Sequence, residues 1–247
     1  DLRRLAQLMP DTPVAGTIFA SGRISGPLQG PSGRLTLTAR GISALNEPGS
    51  PSIDVDGNFN LSPSALALDI SGTGLGATPI TIQGSVGLVQ GDGLPAPGPQ
   101  SRLALRIQWT GDVAPLMAMA PVDGHILKGA TAIDLSIGGT VAAPDVQGAV
   151  RLGPGTYESL DYGTKLEFAT IEVLANGPNL TLSPFKARAG KGTISGQGTA
   201  FLDGARGYPF EIAFTLANAR VAARDDIRAE ISGDVKVTND ANGMLAY

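Results

Sequence analysis

The chain has 247 residues, a net charge of −4 and no cysteine, which excludes disulfides, thiol catalysis and thiolate metal centres. Its basic residues are dispersed and its pI is near 5.0, so it has no electrostatic footprint for nucleic acid. Gly 34 and Pro 18 make roughly a fifth of the chain, against a usual ~12%, while 42% of residues are apolar; a fold with frequent turns accounts for this better than disorder.

In chain order, residues 2–9 read as a short apolar helix stopped by Pro10. A glycine-opened strand follows in Gly22-Arg-Ile-Ser-Gly-Pro27, turning at the proline. Alternating apolar positions then mark strands at Ile53/Val55, Leu66/Leu68/Ile70 and Ile80/Ile82, and most clearly at Leu103, Leu105, Ile107 and Trp109, interleaved with Ala104, Arg106 and Gln108. Residues 113–120 form a second helix candidate before Pro121. Beyond it come Ile133/Leu135/Ile137, Leu166/Phe168, Ile171/Val173, Leu180/Leu182, Phe210/Ile212/Phe214/Leu216 and Val235/Val237. Successive strand side chains point to opposite faces, so each run has one apolar and one polar face. The expected total is about 16 to 18 strands at a spacing of 8–12 residues.

The order repeats. Residues 1–10 align with 112–121, and the Gly22 phrase with Gly139-Thr-Val-Ala-Ala-Pro144, at offsets of about 111 and 117 residues. The reading is two β-repeat units, 1–111 and 112–247, with no polar linker between them and one sheet continuing through both. The chain begins at Asp1 with neither a leader nor an apolar span of about 20 residues. It is therefore expected to be a piece of a longer protein anchored elsewhere.

An apolar face on every strand needs a cover. A second sheet or a closed barrel would supply one, and long amphipathic helices, which this chain lacks, would supply another. An open sheet curled into a trough, about 80 Å long for some 17 strands spaced ~4.8 Å apart, is the remaining solution. Periodicity leaves packed interior and lined groove both open. A closed β-helix would show a coil period near 20 residues instead of one near 115.

Motifs that could carry chemistry are incomplete. Asp54-Val-Asp56-Gly-Asn58 begins like a calcium loop, but Phe59 and Ala65 stand where its glycine and glutamate belong. Gly190-Lys-Gly-Thr193 fails the phosphate-loop pattern at Phe185 and Gly192 and reads as a strand-end turn. His125, the single histidine, reads as a turn residue after Gly124 with neither a serine elbow nor a metal set around it. Asp225-Asp226, flanked by Arg224 and Arg228, reads as a solvated turn. The chain is read as a non-enzyme without cofactor or metal.

The segment from Gly139 to Leu152, with Tyr157, Tyr162-Gly-Thr-Lys-Leu166, Leu180-Thr-Leu182, the run from Lys186 to Gly198, and Ala217 through Val237, resembles the C-terminal region of the TamB family, the inner-membrane-anchored subunits of the translocation and assembly module. The resemblance covers about residues 102–240, with a degenerate copy over 1–101. It implies an all-β "β-taco" in the periplasm, belonging to a longer chain held in the inner membrane. Its apolar groove would shelter phospholipid acyl chains in transit to the outer membrane, with a TamA-type β-barrel as partner and no nucleic acid. An assembly scaffold that pairs a strand with a barrel partner is the alternative. The lining candidates are Leu103, Leu105, Ile107, Trp109, Ile133, Leu135, Ile137, Leu166, Phe168, Ile171, Val173, Leu180, Leu182, Phe210, Ile212, Phe214 and Leu216.

Overall fold

The computed structural model describes residues 14–44, 51–91, 93–119, 124–224, 227–240 and 243–246. It is all-β and antiparallel. The strands are β1 (Val14–Ser25), β2 (Ser32–Ala44), β3 (Ile53–Leu61), β4 (Ala65–Thr73), β5 (Ile80–Gly87), β6 (Leu103–Asp112), β7 (His125–Gly139), β8 (Pro144–Ser159), β9 (Thr164–Phe168), β10 (Ile171–Gly177), β11 (Asn179–Ala189), β12 (Gly192–Phe201), β13 (Phe210–Ala223), β14 (Arg228–Asp240) and β15 (Gly243–Ala246). Strand order follows chain order, except that β9 lies off the path and pairs with β8 and β11. Among the described residues there are fifteen strands, fewer than the spacing predicted, and β7, β8 and β13 run for 15, 16 and 14 residues, longer than that spacing allows. The predicted helix at 113–120 is α1, Ala114–Met119, opened by Asp112, whose carboxylate accepts the Ala114 N–H at 2.8 Å. The predicted helix at 2–9 lies outside the described residues.

The chain divides into two compact units, Asp1–Gly111 with Asp134–Asp145, and Asp112–Ile133 with Val146–Tyr247. In the first unit the meander β1 to β6 keeps one parity except where the register shifts between Ala15 and Thr17 of β1 and between Ala39 and Ile42 of β2. Gly22, Leu35, Phe59, Leu68, Gly84 and Leu105 stand in successive register, and Ile70, Ile82 and Ile107 form a neighbouring row. Residues opposite one another in an antiparallel pair share a face, so these rows make one apolar face. Thr38, Asp56, Ser71, Thr81 and Gln108 occupy the other.

In the second unit, Val150, Val173, Leu182, Gly198, Ile212 and Val237 form the corresponding row. Between β8 and β11, β9 and β10 lie end to end: β10 pairs with the first half of each neighbour and β9 with the second. Three register shifts interrupt the row, one of them between Arg220 and Ala222 of β13. The register of β11 shifts between Leu182 and Phe185, and that of β13 shifts between Leu216 and Ala219, where Asn218 has φ 47° and its N–H donates to the Ser232 hydroxyl at 2.8 Å.

Candidate functional site

The apolar face of each unit is half-covered. In β6, Leu103, Leu105 and Ile107 are half-buried and alternate with exposed Ala104, Arg106 and Gln108; in β13, Phe210, Ile212, Phe214 and Leu216 do the same. Among the described residues no large side chain is completely enclosed, whereas a filled core of this many strands would enclose several.

The sequence-predicted lining residues fall into two groups. Leu103, Leu105, Ile107, Trp109, Leu135 and Ile137 belong to the first unit, and the other eleven to the second. Fifteen of the seventeen are half-buried. The exceptions are Phe168, 6% exposed, and Trp109, 2% exposed. Trp109 folds back over Gly111, where an added Cβ would lie 2.3 Å from its ring, and its indole N–H has no partner. These two rings are packed rather than presented.

Several apolar-face residues escaped the sequence reading because glycines hold the intervening places. On β12 the face-forming positions include Gly196 and Gly198, which stand opposite Phe185 and Leu182 on one side and Phe214 and Ile212 on the other. Phe185 itself falls on the wrong parity until the bulge at Ser183-Pro184 is taken into account. The usable signal was the Gly-x-Gly spacing, since a glycine on the dry parity makes room for a neighbour's bulk.

One end of the second unit is closed. The end of β13 reaches back to the β8–β9 turn. There the Ala223 N–H donates to the Tyr162 carbonyl at 2.9 Å, the Thr164 hydroxyl donates to the Val221 carbonyl, and Arg224 donates to the Asp161 carbonyl at 2.8 Å. Small residues make the approach possible: Ala187, Ala189, Ala219 and Ala222 are all buried there. Across β12, Phe185 and Phe214 meet edge to face with ring centroids 6.5 Å apart. The second unit is thus strongly curled about its apolar side.

The opposite face is polar and laced with exposed cross-strand ion pairs, including Arg106–Asp134 at 3.0 Å, Lys236–Glu211 at 2.8 Å and the directly opposed Arg151–Glu172; such pairs contribute about 0–1 kcal/mol each. Asp56, from the broken calcium motif, is on this face, bound by Arg40 at 2.7 Å and by the Thr38 hydroxyl. The hydrogen bond from Arg40 holds its carboxyl below the usual range. Asp54 accepts the Gly41 N–H at 2.9 Å. Gly190 and Lys191 form the β11–β12 turn, and Asp225-Asp226 lies outside the described residues.

His125 corrects the sequence reading. It is the first residue of β7, half-buried, with Nδ1 2.6 Å from the Tyr157 hydroxyl and the two rings stacked. Burial pushes the Tyr157 phenol up. No cluster of three metal-ligating side chains occurs among the described residues, and no helix among them is long and apolar enough to cross a membrane.

These features define an antiparallel sheet protein that presents a half-open apolar face, closed at one end of its second unit. Residues 181–246, from β11 through β15, match the family model of the TamB C-terminal domain, which is consistent with a TamB-family C-terminal region. Residues 102–180 and the degenerate copy over 1–101 lie outside the matched stretch. No curated protein and no solved structure matches the chain.

Proposed function

We propose that this chain is a non-enzymatic segment of a periplasmic, inner-membrane-anchored bridge that shelters phospholipid acyl chains on its apolar face between the two membranes, and that residues 1–111 and 112–247 are two copies of one β-repeat. The observation that carries this reading is the alternation of half-buried aliphatic and aromatic side chains with no large side chain completely enclosed among the described residues. Each CH₂ moved from water onto such a face is worth ~0.8 kcal/mol, so an acyl chain is held by area and needs no directed bond. The test is mass spectrometry of lipid extracted from the chain purified from a Gram-negative host. Phospholipid at near-stoichiometric amounts is expected, and its absence would remove the reading.

A second reading, an assembly scaffold that pairs a strand with a barrel partner, is favoured by one observation. The four-residue β15 covers β14 only over Val237–Asp240, leaving the outer backbone edge of residues 228–235 without a strand partner among the described residues, and such edges accept added strands. Crosslinking from Asp234 to the barrel partner, with lipid absent, would support it over the first.

A further inference from the structure

Two adjoining cavities open in the second unit where β9, β11 and the end of β13 come together, away from the apolar rows. One, of about 240 Å³, is lined by Lys165, Glu167, Arg188 and Arg220 among others. Its neighbour, of about 560 Å³, shares Arg220 and adds Arg228 and Glu230. Four cations thus face two carboxylates. Arg188 holds the directly opposed Glu167, and Arg220 holds Glu230 at 3.3 Å. Lys165 and Arg228 form no ion pair among the described residues. Glu158 stands across from Lys165 in register without pairing with it, so among the described residues the cations stay in excess even when it is counted.

The backbone shapes this place. Gly190, at φ 66°, lacks the Cβ that would meet the Arg220 side chain at 3.0–3.3 Å, so the guanidinium lies directly over the β11–β12 turn. The seam hydrogen bonds from Ala223 and Thr164 fix β13 beside Gly163. Arg188 and Arg220 are therefore held by their carboxylates on a locked seam, leaving guanidinium N–H groups for a further acceptor, while Lys165 and Arg228 add two cations that form no ion pair among the described residues. A planar guanidinium beside an ammonium is the chemistry that takes up tetrahedral oxyanions.

We infer that this cleft binds a phosphate group, either free or as the headgroup of a lipid. The site is independent of the apolar face and does not rest on acyl-chain transport. The intact chain is titrated with inorganic phosphate by calorimetry, and separately sedimented with phosphatidylglycerol vesicles. Saturation by phosphate identifies the free group as sufficient; binding to vesicles alone identifies the headgroup as the source. In whichever arm binds, Lys165→Gln with Arg228→Gln lowers affinity about tenfold or more, the worth of one or two charge-assisted hydrogen bonds. The equal-charge control, Arg23→Gln with Arg34→Gln on the polar face of the first unit, leaves it unchanged. Lack of saturable binding in both arms, or an equal loss in the control, overturns the site. Circular dichroism of both doubles verifies folding.

Discussion

Phe185 and Phe214 stand on strands that are not neighbours, yet their rings meet at 79° and 6.5 Å because the residue between them in the same row is Gly196. A Cβ at Gly196 would lie 2.7 Å from one ring and 2.9 Å from the other. Gly196→Ala is expected to destabilise by about 1–3 kcal/mol through overpacking. Gly93→Ala, where a Cβ meets nothing within 4 Å, should stay within about 0.5 kcal/mol. Urea unfolding with unchanged slope measures both, and equal effects would remove the close-approach account.

A carboxylate on the apolar face should abolish lipid capture where an apolar residue on the polar face does not. Leu105→Asp places a charge in the row containing Leu68 and Gly84, at a desolvation cost of several kcal/mol once acyl chains cover it. Asp134→Leu frees Arg106 and Gln108, both exposed, at a cost of about 1 kcal/mol or less. Lipid per chain, measured on variants with native circular dichroism, should fall only for Leu105→Asp. A parallel fall in both would contradict the face assignment.

The His125–Tyr157 hydrogen bond should contribute about 1 kcal/mol. His125→Ala and Tyr157→Phe are each expected to destabilise by about that amount, and the double variant by less than their sum, as a double-mutant cycle reads directly. Strict additivity would show that the 2.6 Å contact contributes nothing.

Asp56 gives a pH dependence of defined sign. Its folded-state pKa is lowered, first by the hydrogen bond from Arg40, so the stability it contributes is present above the unfolded carboxylate pKa and lost as pH falls through the folded one. Stability against urea should decline on acidification through the ordinary carboxylate range and below it, less steeply in Asp56→Asn than in the parent. Identical slopes would show that the pair is not coupled to folding. The pair is exposed, so the difference is small.

How much of this was legible depended on parity. In β6 and β13 the alternation of half-buried and exposed positions follows the sequence residue by residue up to Trp109 and Leu216. Beyond Leu182 the same rule would have placed Pro184, Lys186 and Arg188 inward. The bulge instead turns Phe185, Ala187 and Ala189 in, and a bulge adds one residue without a periodic signature. Glycines hid the dry positions of β12. His125 read as a turn because nothing local announces Tyr157, 32 residues away. The seam between Tyr162 and Ala223 was equally invisible, being made by backbone groups and alanines.

That seam also fixes an order of events. Strands in a meander find their partners next door in sequence, so each hairpin closes over a short loop and can add to the one before it. The contacts of Asp161 and Thr164 with Arg224 and Val221 span 63 and 57 residues, and they can form only after β10, β11 and β12 have been laid down between them. The closed end of the second unit is therefore expected to assemble last and to open first, and hydrogen exchange at the Ala223 amide is expected to run ahead of that at the β11–β12 ladder, equal rates removing this order.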